Sequence, residues 1–157
     1  MRRKDREVSN ISDMVDIIKK CDVCRIALFD EGYPYIIPLN FGILYKKEQI
    51  GFYFHCAKEG KKISLIKSNP NVGFELDCSH QLLEGVNACD YSMEYESICG
   101  NGTITILPAD QKVEALTILM KQYSERDNFT FDQRYLDAVE VLQLKVNQIT
   151  GKRLKKS

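Results

Sequence analysis

The chain reads Phe52-Tyr53-Phe54-His55-Cys56-Ala57-Lys58-Glu59-Gly60-Lys61-Lys62, an aromatic run that ends in an imidazole and then turns at a glycine. Two lysines follow at the start of a segment with helical spacing, Ile63, Leu65 and Ile66. The first turn of a helix carries unpaired N–H groups and the positive end of the macrodipole. Cations placed there oppose the dipole unless an anion is bound. Gly60, Lys61 and Lys62 therefore have the composition of a phosphate site, with His55 close by.

Other residues with chemical potential are sparse. His80, the second of two histidines, sits in a polar stretch and reads as a surface residue. Cys56 adjoins His55, but adjacent strand residues point to opposite faces, which disfavours a Cys–His dyad. Cys21-Asp22-Val23-Cys24 has C-x-x-C spacing. Zinc would want a second such pair, and none exists; a thioredoxin-like motif would follow a strand and open a helix, whereas this one closes a helix and opens a strand. A zinc or thiol module at Cys21 and Cys24 is the weakest reading, and no metal site is expected. No dinucleotide fingerprint, P-loop, nucleophile elbow or H-E-x-x-H motif occurs.

The elements that must position these residues follow from periodicity. Residues 1–11 are polar and read as an arm. Ser12 is a fair N-cap for a helix with Met14, Ile17, Ile18 and Cys21 on one face. Val23–Phe29 reads as a strand, and Asp30-Glu31-Gly32 as its turn. Tyr33–Tyr45 and Ile50–His55 are apolar runs around polar Lys46–Gln49, a hairpin signal. Pro34 and Pro38 cannot donate to a ladder, so the first of these runs must be an edge or contain a bend. Leu39, Asn40 and Phe41 then offer backbone groups that could meet the edge of a heterocycle. Lys61–Asn69 predicts a short helix stopped by Asn69-Pro70. Asn71–Asp77 reads as a strand, Ser79–Tyr91 as an exposed loop, and Ser92–Leu107 as a long strand bent at Gly100-Asn101-Gly102. Pro108-Ala109-Asp110 opens a helix whose apolar stripe is Val113, Leu116, Ile118–Met120 and Tyr123. Tyr135-Leu136-Asp137 suggests a helical turn, and Ala138–Ile149 a last strand. The sum is six or seven strands with three helices, mainly β, which predicts an antiparallel barrel with peripheral helices.

With 157 residues the chain has the size of one domain, here 12–152, followed by a basic tail at 153–157. Its 22 basic residues balance 22 acidic ones, which argues against a general nucleic-acid binder. Basic residues cluster at the two ends, from Arg2 to Arg6 and from Lys152 to Lys156, as solvated termini would. No run approaches the roughly 20 apolar residues of a membrane span, and no signal-like apolar stretch opens the chain. A cytoplasmic protein with six free thiols, and no membrane partner, is expected.

Four motifs in order carry a resemblance. They are Tyr35-x-x-Pro38-Leu39-Asn40-Phe41, Phe54-His55-x-Ala57-x-x-Gly60-x-Lys62, Tyr95-x-Ser97-Ile98-x-x-Gly100, and Ile149-Thr150-Gly151-Lys152. Together they resemble the pyridoxamine 5'-phosphate oxidase-like flavoproteins, and within that group the nitroimidazole-resistance subfamily. The resemblance implies an FMN-binding split barrel working as a homodimer with flavin sites at the interface. It implies that the backbone of Pro38, Leu39, Asn40 and Phe41 lies along the flavin ring. His55 would stand near the ring and substrate, as the candidate catalytic residue. Lys62, helped by Lys61, would hold the FMN phosphate. Tyr95 and Ser97 would approach from the same or the partner subunit, and Lys152 would close the cleft. The paired arginines that clamp the substrate phosphate in true pyridoxamine-phosphate oxidases have no counterpart, since the mid-chain arginines are Arg25, Arg126 and Arg134. That argues against vitamin B6 oxidation.

The function expected is an FMN-dependent oxidoreductase of nitroreductase type. It would pass electrons from a reduced nicotinamide or another donor to a nitroaromatic, nitroimidazole-type or other small aromatic acceptor. The alternative is a non-catalytic flavin or haem carrier or sensor on the same barrel.

Overall fold

Strand β2 (Cys24–Asp30) sets the pattern for the sheet. Cys24, Ile26 and Leu28 are buried, whereas Arg25, Ala27 and Phe29 face outward. It returns as β3 (Tyr33–Leu39) through Glu31 and Gly32, both at positive φ, 41° and 102°. That left-handed pair matches the twist of a two-residue hairpin. A second such hairpin joins β4 (Gly42–Lys46) to β5 (Gln49–Ala57) through Lys47 and Glu48, at φ 52° and 62°. These features come from a computed structural model, which describes residues 3–155. Arg2 and Lys156 lie outside the described residues.

The remaining strands are β1 (Glu7–Val8), β6 (Asn71–Leu83), β7 (Ser92–Ile106) and β8 (Val139–Leu154). All pairings are antiparallel, in the order β3-β2-β6-β7-β8-β5-β4, with β1 added on the far end of β8. β3 and β4 are thus the two edges of the sheet, yet Asn40 and Phe41 alone separate them in the chain. Three Cα steps span at most about 11 Å. The edges must therefore meet at that link, and the sheet curls into a barrel that is split elsewhere. The mainly β, antiparallel split barrel expected from the sequence is the fold observed.

The helices close the barrel. α1 (Ile11–Lys20) buries Met14, Val15, Ile17 and Ile18; α2 (Lys61–Ser68) buries Ile63 and Ile66. α3 (Lys112–Tyr123) lies over β4 and β5, and α4 (Gln133–Ala138) precedes β8. Phe52 stands at the centre of the core, edge-on to Phe41 at 5.6 Å and 5.2 Å from Phe74 between centroids. No described helix is long and apolar enough to cross a membrane.

Several details differ from the sequence reading. The run Tyr33–Tyr45 is two strands, broken at Asn40 and Phe41, while Pro34 and Pro38 both lie within the edge strand β3. The cap of α1 is Asn10, whose Oδ1 accepts from Ser12 N–H, and not Ser12. The polar stretch after Cys78 is not a loop until Leu83. β6 continues through a bulge in which Ser79 and His80 face one residue of β7, with Ser79 at φ 59°. A bulge breaks alternation, so the polar residues beyond it look like loop. The bend at Gly100–Gly102 exists, but the extra residue is Asn147 on β8. On α3 the buried positions are Lys112, Ala115 and Leu119, while Val113 and Tyr123 are exposed. Lys112 is buried because its Nζ donates to the carbonyls of Leu136 (3.2 Å) and Val139 (2.5 Å), where α4 ends. The sheet also extends past both expected boundaries. Glu7 and Val8 pair with Lys152 and Gly151, and β8 reaches Leu154.

Glu96, on the inward face of β7, is fully buried. It is held by Lys20, by Arg153 Nε at 2.6 Å and by Ser79 Oγ at 2.9 Å, with Lys155 at 3.8 Å. Burial alone would push its carboxyl up, but the hydrogen bonds from Lys20, Ser79 and Arg153 outweigh it and hold the group down at about 2. One carboxylate thereby ties α1, β6 and β8 to β7.

Two outcomes are expected. A Cβ at Gly42 would lie 2.4 Å from the Leu119 Cα, so Gly42→Ala should destabilise the protein by about 1–3 kcal/mol in urea unfolding. The folded Glu96 carboxyl sits below its ordinary value, so its contribution is complete above about pH 4.5 and is lost as pH falls toward 2. Glu96→Gln should flatten the acid limb of the stability–pH curve and lower stability at neutral pH by about 3 kcal/mol.

Candidate functional site

β5 delivers His55 to the border of the split. β4 pairs with β5 from Gln49 to Tyr53, so Phe54–Ala57 have a ladder partner on β8 alone. Their free edge faces the opening. Phe54 and Cys56 point into the core; His55 points outward, is exposed, and has no hydrogen-bond or ion-pair partner among the described residues. Tyr53 faces the same way but is covered by α3. Outward exposure of His55 against inward burial of Cys56 excludes a dyad between them.

Three residues after Ala57 the backbone reaches Gly60, at φ 122° and ψ 171°, a conformation for which a side chain would be strained. α2 begins there with no side-chain cap and no acidic residue in its first turn. α1, by contrast, has the Asn10 cap and Asp13. The first-turn N–H groups of α2 are thus left to an outside acceptor, and the side chains beside them are cationic. This donor set fits a terminal phosphate.

The two lysines are not equivalent. Lys61 Nζ lies 2.5 Å from Asp30 Oδ2 at the end of β2 and 5.1 Å from the centre of the Tyr35 ring. Its pKa is raised, chiefly by the hydrogen bond with Asp30. Lys62 is half-buried and has no carboxylate partner among the described residues. Burial pushes the neighbouring Cys56 thiol up, and Lys62 partly offsets this. Lys62 is therefore the freer of the two cations, whereas Lys61 is shared with Asp30.

The Pro38–Phe41 segment occupies the link between the edges. Pro38 is exposed opposite Arg25, and Leu39 is half-buried opposite Cys24. Phe41 is fully buried, and its N–H is not free, because it donates to Tyr123 Oη at 2.9 Å. The expected set of open backbone groups is thereby reduced at Phe41. Asn40 is exposed, with its Nδ2 on the Asp22 carbonyl at 3.2 Å.

Tyr95, Ser97 and Lys152 lie elsewhere. Ser97 sits opposite Lys152 and Asp77, and Tyr95 opposite Leu154, on the outer side of β7 and β8. His55 pairs with Val141 near the start of β8. From Val141 to Lys152 the strand runs about 36 Å of contour at 3.3 Å per residue. Within one chain these three residues are brought together with one another, and the ladder pairs none of them with β5, the strand of His55.

The arginines are committed to carboxylates or peripheral. Arg25 Nη1 holds Asp77 at 2.6 Å and Glu75 at 3.1 Å, and Arg134 pairs with Asp132 at 2.6 Å. His80 Nε2 lies 2.9 Å from Asp77. Cys21 and Cys24 are buried, and burial raises both thiols well above their ordinary range, away from thiolate character. Among the described residues no group of three or more His, Cys, Asp or Glu side chains could hold a metal ion. Asp30 and Tyr123 escaped the sequence reading. Asp30 read as a turn residue and Tyr123 as part of an apolar stripe; their partners are remote in the chain.

Fold and edge geometry together define an antiparallel split barrel with an anion-type helix terminus beside its opening. The sequence profile of the pyridoxamine 5'-phosphate oxidase family matches residues 11–153, and the chain belongs to that family. It is similar to the crystal structure of a candidate 5-nitroimidazole antibiotic resistance protein from Bacteroides thetaiotaomicron. Identity is 31%, the TM-score is 0.80, and the match covers 93% of this chain and 85% of that one. The fold is also that of the FAD and haem binding protein from Mycobacterium smegmatis, at 15% identity and TM-score 0.84, covering 96% of this chain and 74% of that one. It is shared too by the flavocytochrome Anf3 from Azotobacter vinelandii, at 12% identity and TM-score 0.82, covering 99% and 72%. No curated protein sequence matches the chain.

Proposed function

We propose that the protein is an FMN-dependent oxidoreductase that reduces small nitroaromatic or related aromatic acceptors with electrons from a reduced nicotinamide. The observation that carries this reading is the N-terminus of α2, which has a glycine in place of a cap, no acidic side chain, and Lys62 without a carboxylate partner. A single terminal phosphate suits that site better than the bridged diphosphate of FAD. FMN, when bound, supplies the hydride and electron chemistry; the chain supplies binding and orientation. Lys62 and the first-turn N–H groups hold the phosphate. Pro38, Leu39 and Asn40 offer the edge strand to the ring. His55, exposed and unpartnered, is placed to orient the acceptor or exchange a proton with it. The nitro acceptor class is supported by the 31% identical resistance protein. A vitamin B6 phosphate substrate is disfavoured, because Arg25 and Arg134 are already held by carboxylates.

A homodimer with flavin sites between subunits belongs to the same reading. Ser97, Tyr95 and Lys152 reach His55 most simply from a second chain, given their separation along β8. The outer face of β2 and β3 supports this. Phe29 and Ile36 are each more than half exposed there, as is Tyr33 at the start of β3, beside a groove of 440 Å³ whose lining includes Ala27 and Gly73. Such a patch is the kind that subunits cover.

One observation favours a second reading. An exposed histidine free of partners also suits an axial haem ligand, and two proteins of this fold are described as binding haem or as a flavocytochrome. A non-catalytic flavin or haem carrier would then result.

Absorbance and mass analysis of the purified protein should reveal FMN; a haem band in its place would favour the second reading. Lys62→Glu should weaken FMN binding by at least about 100-fold, because a like charge meets the phosphate, whereas Lys61→Ala should cost less than about tenfold. Full flavin occupancy in Lys62→Glu contradicts the phosphate assignment. His55→Ala should keep FMN but lose about 100-fold or more in kcat for nitro reduction by steady-state kinetics. Unchanged turnover removes His55 from the reaction.

A further inference from the structure

The last turn of α3 reaches across to the segment that joins the two sheet edges. Tyr123 Oη accepts from Phe41 N–H at 2.9 Å and donates to the Asp22 carbonyl at 2.8 Å. A phenol carries one proton and a carbonyl only accepts, so the direction of both bonds is determined. Gln122 donates through Nε2 to the carbonyls of Lys19 at 3.2 Å and Cys21 at 3.1 Å. Asn40 joins the cluster through Nδ2, 3.2 Å from the Asp22 carbonyl. Because that carbonyl cannot donate, the carboxamide must present its nitrogen there. Its Oδ1 is then left as an acceptor, with no partner among the described residues, on an exposed residue.

Core packing does not account for this arrangement. α3 is seated by Ala115 and Leu119, whereas Tyr123 is 42% exposed and its ring adds little to the core. What the hydroxyl adds is a bond to each of two backbone segments, the α1–β2 junction and the β3–β4 link. Phe41 is buried, so its N–H has no ready alternative acceptor.

We propose that Tyr123 is a positioning residue that clamps the Pro38–Phe41 segment to the α1–β2 junction, which Gln122 also holds, so that Asn40 Oδ1 is held ready to accept a hydrogen bond from the imide N–H of a flavin ring. The acceptor role rests on the flavin reading above; the clamp does not.

Two measurements test it. In protein without ligand, the Phe41 amide should be protected from hydrogen exchange by NMR, and Tyr123→Phe should speed its exchange at least about tenfold. Equal rates overturn the clamp. FMN and N3-methyl-FMN, which lacks the imide proton, are then titrated into wild type and variants. Wild type should prefer FMN by about tenfold. Asn40→Ala should abolish the preference, and Tyr123→Phe should narrow it while its melting temperature stays above the assay range. A preference retained in Asn40→Ala overturns the acceptor role. Equal weakening of both flavins by Tyr123→Phe, with the ratio unchanged, reduces Tyr123 to a structural residue and overturns its positioning role. A wild type that binds neither flavin overturns the flavin reading and the acceptor role with it, while the exchange rates still decide the clamp.

Discussion

The two-residue link at Asn40 and Phe41 is the constraint on which the structure depends. It joins the first and last strands of a sheet order seven strands wide, so the sheet cannot lie flat. Phe41 fills the centre of the curl against Phe52, and the Tyr123 hydroxyl satisfies its N–H. Gly42, immediately after, lets α3 pack at backbone distance. Each of these residues would be unremarkable alone. Together they draw the edges together at the link, beside the part of β5 that carries His55 past the end of β4.

Charge is arranged to match. The carboxylate that holds the barrel, Glu96, faces inward and is met by Lys20, Arg153 and Ser79. The cations that could serve a ligand face outward at α2. Asp30 takes one of them, Lys61, which limits the repulsion between two adjacent ammonium groups when no anion is bound. Lys62 is left with its charge unbalanced beside uncapped N–H groups. A helix start of this kind is more stable with an anion than without one, which couples ligand binding to the order of α2.

Much of this was legible in the sequence for local reasons. Gly60-Lys61-Lys62 after an aromatic strand specifies a helix start and its charge within a few residues, and Pro34 and Pro38 mark an edge strand because proline lacks a donor wherever it is placed. What was illegible depends on partners remote in the chain. The bulge at Ser79 and His80 exists only against β7, so residues up to Leu83 looked like loop. Glu96 is buried because two bases and a hydroxyl from three elements, Lys20, Arg153 and Ser79, converge on it. Lys112 reads as a surface lysine until the end of α4 supplies its acceptors. Tyr123 has the spacing of a core residue, and its hydroxyl's partners are 82 and 101 residues away. The same holds for Ser97 and Lys152, whose pairing shows only once β7 and β8 are set side by side.

The central claim is that the helix terminus after Gly60 binds a terminal phosphate. Its most direct measurement is the affinity of the apoprotein for FMN against riboflavin, which differ by that phosphate alone, at fixed ionic strength. Two or more charge-assisted hydrogen bonds predict FMN binding at least about 100-fold tighter than riboflavin. Equal affinities would contradict the account.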